Sequence, residues 1–525
     1  MIRWQGLVLS VILASATDSA ACGAQRPPRP ATLDENTTEL FNESMDLDAR
    51  LWDPRVTLVH RPGYQVPAPG EGEYMVRESS WYALGLLFRD GAGDRERAVQ
   101  ALEAVLAQQY DKPGVRWYGT FKTTPEEPEP GEHAVRWTDY DPNWRHFIGT
   151  TFAMILIEYP NRIPAALAQR MYSAIDRAIE GEIAEKRLVP AYSNIAVMYG
   201  FLWEFAATHD KRADWQKQAT DWIENVYGLF KTYGVFDEYN SPTYYGVDLY
   251  GLALWRRYGS TARMRSVGAE MEAGLWRDIA SHYQPALRNV SGPYDRAYGM
   301  DMERYVSVVG VWMRTVLDAP RAPLPPIAAE TDHVADVWYA PHIAMLGTAI
   351  PPDALAKMSG FDGPHLVRTQ ITKQREATAW IGRDAIWGGE LTSGTKEAGP
   401  NTQFHPATVQ WRTPSGEIGW IRLVQSPAVD VTADARGLTI SATGTIRLRI
   451  HAKGVALRDI AAEAWSPPGL HVAVASDAKS VRLQTANDAI DVVYADMTRA
   501  RLDIQPVVSV TPAIAPGRTG FSTGR

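Results

Sequence analysis

Apolar residues recur at helical spacing through the first part of the chain. Ile148, Phe152, Ile155, Leu156 and Tyr159 share one face of a 3.6-residue repeat, as do Ile195, Met198, Tyr199, Leu202 and Phe205. Met302, Val306, Val309, Met313 and Val316 step by four and three. These stripes predict packed helices from Glu73 to about Leu317. Helix-start chemistry recurs with them: Asp141 and Pro142, Ser193 and Asn194, and Ser241 and Pro242 each precede or open a stripe, and a further helix is expected near Gly299. The interval is about 50 residues, the length of two helices with their turns. More polar helices are expected between the starts, near residues 164–183, 212–231 and 261–283, with an earlier pair near 74–89 and 94–109. An apolar inner helix alternating with a more polar outer one is the pattern of an incomplete (α/α) toroid.

After Pro320 the texture changes. Residues 321–326 are proline-rich and read as a linker. Beyond about Trp380 come short runs of β-branched and aromatic residues, such as Thr408, Val409 and Trp411, then Ile418, Trp420 and Ile421, then Thr445, Ile446, Leu448 and Ile450. Turn residues such as Pro414, Ser415 and Gly416 separate them, which predicts an antiparallel β-sandwich. The expected fold class is therefore multidomain α and β. A toroid spans residues 71–320, and a linker with an antiparallel β-sandwich spans 321–525. Residues 25–70, rich in proline and polar residues, are expected to wrap the surface as a lead-in.

Composition changes this picture little: 525 residues, 45% hydrophobic and 22% charged, suit a soluble chain with more than one core. The formal net charge of −8 argues against a nucleic-acid binder, yet a few placed Arg residues still allow an anionic substrate. Residues 1–24 read as an export signal, with Arg3 ahead of a short apolar run at 7–14 and small residues after it. The run is too short to span a membrane, so the expected location is extracellular or periplasmic. Cys22, the single cysteine, would head a lipidated chain if cleavage fell before it. Ser19 stands where that motif favours Leu, so cleavage without lipidation is expected. No disulfide framework, paired Cys or His spacing or Gly-rich phosphate loop occurs, so neither a metal nor a cofactor is expected. A Gly-x-Ser-x-Gly match around Ser522 has no room for the helix a nucleophile elbow requires and reads as chance.

If the inner helices run the same way, their starts meet at one rim, and the unusual polar residues of the chain sit at those starts. Asn143, Trp144, Arg145 and His146 open one helix and Asn194 the next. Asn240, Tyr244 and Tyr245 surround the third, and Tyr294, Asp295, Arg296 and Tyr298 precede the fourth. Trp144, Arg145, Tyr244, Trp81 and Tyr82 are candidates to contact sugar rings, and His405 to reach the rim from the sandwich. Each also has a plainer role in a core, a cap or an ion pair.

That mixture suits β-elimination on a uronic acid. The proton beside a charged carboxylate is weakly acidic, so the site must neutralise the carboxylate with amides, Arg or His and so stabilise an enolate-like transition state. A Tyr near Arg and a helix start is expected to have its phenol pKa lowered, and one Tyr can act as base and then acid. A glycoside hydrolase would instead need two carboxyl groups, for which Asp237, Glu238, Asp295 and Asp301 are candidates. A glycan-binding protein without catalysis is a third class.

At Asn194, at residues 240–246 and at residues 294–302, the chain resembles the toroid-plus-sandwich polysaccharide lyases, which include heparinase II/III-like, chondroitin AC-type, alginate and glucuronan lyases. The resemblance implies a secreted lyase acting on an acidic polysaccharide. By it, Asn194 looks like the carboxylate neutraliser and Asn240 its partner, where many relatives have His. Tyr245 or Tyr298 looks like the proton-transferring Tyr and Arg296 like the cationic helper, with His146 nearby.

Overall fold

The computed structural model describes residues 33–63, 73–399 and 402–507. The expected export signal with Cys22 and the match around Ser522 lie outside the described residues.

The segment expected to wrap the surface instead begins with a helix, α1 (Glu35–Leu51). Asp34 caps it by accepting the Thr37 N–H at 2.9 Å. Leu40, Met45, Leu47 and Leu51 are buried together with Ser44 and Asp48, while most of its other polar residues face outward. Four helix hairpins follow: α2 (Val76–Arg89) with α3 (Asp94–Leu106), α4 (Trp144–Glu158) with α5 (Ala165–Glu185), α6 (Ser193–His209) with α7 (Ala213–Tyr233), and α8 (Tyr244–Tyr258) with α9 (Ala262–His282). The first members pack in series, α2 on α4, α4 on α6 and α6 on α8, and form the inner ring. α4 and α6 are buried along almost their whole length, whereas α5 and α7 bury one stripe and face outward with the other. This is the expected incomplete (α/α) toroid.

The helix expected near Gly299 is α10 (Val308–Arg314), which starts later, where the Ser307 hydroxyl accepts the Gly310 N–H at 3.1 Å. Met302 and Val306 are buried in the loop before it, so their helical spacing reflected burial and not a helix. A short 3-10 helix, Val334–Tyr339, bridges the ends of the ring by packing on both α10 and α2. Beyond the proline-rich stretch the chain remains helical through α11 (Ala340–Leu346) and α12 (Pro352–Ser359), with α11 seated on α1 and α2.

The first strand of the main sheet begins at His365. Twelve strands, all paired antiparallel, form one hydrogen-bonded network. Strands 385–391, 407–412, 418–428, 437–451 and 430–434 pair in that order, and the last returns to the first through Asp430 and Leu391. The layers of the sandwich are therefore joined by shared, bulged strands and enclose Val409, Leu423, Val431, Leu448, Val492 and Leu502. Toroid and sandwich are hydrogen-bonded to each other. Tyr294 and His405 exchange backbone bonds of 3.1 and 2.9 Å, and the Ala297 N–H donates to Gln403 at 3.1 Å. No helix among the described residues is long and apolar enough to cross a membrane.

A close seam of the ring joins α8 to α10, where a Cβ on Gly246 would lie 2.5 Å from the Val308 carbonyl carbon. The Trp312 indole N–H donates to the Gly246 carbonyl at 2.9 Å in the same seam. Helix propensity alone makes Gly246→Ala stabilising by about 1 kcal/mol. The clash with backbone is expected to reverse the sign and destabilise by about 1–3 kcal/mol, read as a lower midpoint in thermal unfolding followed by circular dichroism.

Candidate active site

A cleft of about 690 Å³ opens at the starts of α4, α6 and α8. Asn143, Asn194 and Tyr244 enter it from those three starts, and Arg77 from the start of α2. The loop between α9 and α10 supplies Arg296 and Tyr298, and the closing turn with the residue before it supplies His333, Asp336 and Tyr339. The Ser241 hydroxyl fixes the α8 start by accepting the Tyr244 N–H at 2.9 Å.

The polar groups are connected. Arg296 Nη2 donates to the Tyr244 hydroxyl at 2.6 Å, and that hydroxyl lies 2.6 Å from the Tyr298 hydroxyl. The Arg296 guanidinium also covers the Tyr244 ring at 3.7 Å and donates through Nη1 to Glu238 at 2.9 Å. The other carboxylate oxygen of Glu238 accepts from the Asn194 amide and from the Ser193 hydroxyl at 3.2 Å, which fixes the Asn194 side chain at the mouth of α6. Tyr298 stacks on His333 with ring centres 4.2 Å apart. Across the cleft the Asn143 amide donates to the Tyr192 hydroxyl at 3.1 Å, and Arg77 pairs with Glu78 and lies against Trp81, Trp144 and Phe147.

Burial dominates the electrostatics. It pushes the Tyr244 phenol far above its ordinary range, with Tyr298 adding to the shift and Arg296 opposing it. The expectation that Arg would lower a rim phenol is therefore reversed at Tyr244, because desolvation of the phenolate outweighs the nearby cation. Burial lowers His333 below the usual imidazole range against the pull of Asp332, which favours a neutral ring. Asp141 is raised by burial, and Asp336 is pushed up to about 7 by burial with Arg77 opposing.

Of the residues expected at the site, Asn194, Arg296, Tyr244 and Tyr298 meet in the cleft. Tyr245 does not. Successive helical residues point about 100° apart, so with Tyr244 in the cleft Tyr245 turns into the wall, 1% exposed and edge-on to Tyr239. Asn240 is 2% exposed and donates to the Ser291 and Pro293 carbonyls at 2.7 and 2.9 Å, bracing the loop that carries Arg296. His146 is buried edge-on to Tyr199. Arg145 is sealed among Glu182, Glu185 and the Tyr118 carbonyl, away from any sugar. Trp81 packs on Tyr339 and His342, the Tyr82 hydroxyl accepts from Arg97 at 3.0 Å, and Trp144 lies beneath Arg77, so none of the three offers an open stacking face. His405 joins the sandwich to the toroid and lines a second hollow.

Among the carboxyls considered for hydrolysis, Asp237 and Asp295 pair with Arg375, and Asp301 accepts the Glu303 N–H at 2.9 Å. Glu238 alone of the four touches the cleft residues. Arg77, Tyr192, His333, Asp336 and Tyr339 were not foreseen. A lone Arg opening the apolar run of α2 was the available signal for the first. The last three sit in a stretch read as linker and sheet, with no periodicity to mark it.

Fold and site together define an incomplete toroid joined to a β-sandwich, with a polar cleft where the inner helices begin. The chain belongs to the family described as Domain of unknown function (DUF8769), which matches residues 38–348. A second description, Domain of unknown function (DUF8770), matches residues 365–483. No curated protein matches the chain. Among solved structures it is similar to heparinase III, with a TM-score of 0.43 and 11% identity over 91% of this chain and 85% of that one. It is also similar to the Streptomyces coelicolor A3 chondroitin AC lyase in complex with chondroitin sulphate, with a TM-score of 0.36 and 9% identity over 90% and 96%. The heparan sulfate lyase HepC mutant from Pedobacter heparinus gives 0.32 and 12% over 93% and 86%.

Asp336 yields a pH signature. Its carboxyl, ordinarily near 3.8, is raised to about 7, so folding favours the protonated form. That contribution is complete below the ordinary value and is lost as pH rises through about 7. Asp336→Asn, which cannot ionise, is expected to be stabilised relative to the parent at pH 8 and much less at pH 5, checked by thermal unfolding at both.

Proposed function

We propose that this chain is an exported polysaccharide lyase that breaks a uronic-acid-containing glycan, such as glucuronan, alginate or a related glucuronide, by β-elimination. The observation that carries the reading is the relay from Arg296 through the Tyr244 hydroxyl to the Tyr298 hydroxyl, with the Asn194 amide beside it. Because Arg296 donates to the Tyr244 oxygen, the Tyr244 proton is directed at Tyr298. A hydrogen bond received there stabilises negative charge on the Tyr298 oxygen, which makes Tyr298 the base.

In the reaction, the Tyr298 oxygen takes the proton from the carbon next to the sugar carboxylate. The released electron pair forms the carbon–carbon double bond as the bond to the glycosidic oxygen breaks, and a phenol proton passes to that oxygen. Asn194 has two amide protons, one committed to Glu238, and the other is available to the carboxylate as charge builds on it. His333, neutral and stacked on Tyr298, fixes the ring and adds no competing charge.

A second reading has one observation in its favour. Asp141 and Asp336 both line the cleft with raised pKa values, as a hydrolase acid would require. The products separate the two, since elimination leaves an unsaturated uronide that absorbs in the near ultraviolet and hydrolysis does not. Glucuronan, alginate, glycosaminoglycans and rhamnose-capped glucuronides are the polymers to screen.

On the polymer that gives absorbance, Tyr298→Phe is expected to lower kcat by about 10²–10⁴-fold and Tyr244→Phe by less, while Tyr245→Phe leaves the rate unchanged. Full activity in Tyr298→Phe, or oligosaccharide release without absorbance, would defeat the lyase reading.

A further inference from the structure

A second hollow of about 310 Å³ adjoins the cleft on the sandwich side, and Tyr298 lines both. Arg422, Arg447 and Arg449 project into it from the paired strands 418–428 and 437–451, beside Gln403 and His405. Arg422 and Arg449 stand directly opposite each other across the pair, a placement that like charges disfavour. One carboxylate serves the group. Asp491 accepts from Arg449 at 2.7 and 3.0 Å and lies 3.9 Å from Arg447. Among the described residues Arg422 has no carboxylate partner. Its Nη1 lies 3.4 Å from His405 Nε2, and its Nε is buried without a hydrogen bond. His405, an imidazole, offers no counter-charge, and burial with Arg422 beside it lowers its pKa to about 3, so it adds no further positive charge either. Three guanidinium groups thus share one counter-charge in a concave site next to the proposed base. The Trp420 ring, 5.0 Å from the Arg422 guanidinium, supplies a face but no counter-charge, whereas an oxyanion placed there would meet unused donors in the geometry guanidinium groups recognise.

We propose that this hollow is an anion subsite that binds the acid group, carboxylate or sulfate, of a sugar flanking the one held at Tyr298. The proposal rests on the lyase reading for the identity of the ligand as a glycan, and it narrows the substrate to chains with acid groups on neighbouring residues.

The test uses the full chain and the variants Arg422→Gln, Arg447→Gln and Arg422→Lys. Arg449 is left in place so that buried Asp491 keeps its partner. Binding of glucuronan and chondroitin sulfate tetrasaccharides is measured by calorimetry, melting temperature is recorded, and KM and kcat are taken on any polymer the parent cleaves. Each Gln variant is expected to bind about tenfold or more weakly, with KM raised, kcat kept and melting temperature unchanged or higher as repulsion is relieved. Arg422→Lys should recover part of the affinity. The tetrasaccharide that loses more affinity identifies the bound group. Parent-like affinity for both probes in Arg422→Gln and Arg447→Gln overturns the subsite even if the parent is an active lyase. If the parent cleaves nothing but the Gln variants lose binding, the subsite stands and the lyase reading falls.

Discussion

The guanidinium of Arg296 is the point where the site is held together. It comes from the loop before α10, yet it binds Glu238 ahead of α8 and the hydroxyl and ring face of Tyr244 on α8. Through Glu238 it is linked to Asn194 at the start of α6. A half-buried cation loses part of its hydration and gains most where its donors are satisfied, and here a carboxylate and a phenol oxygen satisfy them at once. That requirement draws two helix beginnings and the loop before α10 to one place. The alignment of Asn194, Tyr244 and Tyr298 follows from it.

The ring makes such convergence available. Inner helices that are apolar nearly all round, as α4 and α6 are, can be stable only when enclosed, and an outer layer with one apolar stripe encloses them. Hairpins of inner and outer helices then place every inner start at the same end. Those ends leave backbone N–H groups and capping side chains unpaired with the core, so polar residues collect there.

Much of this was legible in the sequence. The apolar stripes and recurring start signals located the hairpins, and the change of period after residue 380 located the sandwich. Asn194, Arg296, Tyr244 and Tyr298 were picked out because polar residues at helix starts are conspicuous against apolar runs. Resolution failed at the scale of one residue. Tyr244 and Tyr245 are equivalent on paper, and only the rotation of α8, fixed by Gly246 against Val308, decides which faces the cleft. Reading also failed where no period exists: the turn that closes the ring carries His333, Asp336 and Tyr339 in a stretch that looks like a connector. Arg145 misled for a related reason, since a charged residue beside a helix start can face inward when Glu182 and Glu185 meet it, and His146, kept neutral by burial, turns inward beside it.

Arg375 carries a consequence of its own. From the sandwich it binds Asp237 and Asp295, the chain neighbours of Glu238 and Arg296, together with Glu390 of its own sheet. The sandwich is thus a buttress for the rim of the cleft and not an appendage to it. Shortening the chain to its helical part would strand Asp295, almost wholly buried, without its cations, and would free both ends of the Glu238–Arg296 bridge to drift. An exchange of one half of the protein for another therefore has to keep the acidic pair and its arginine together.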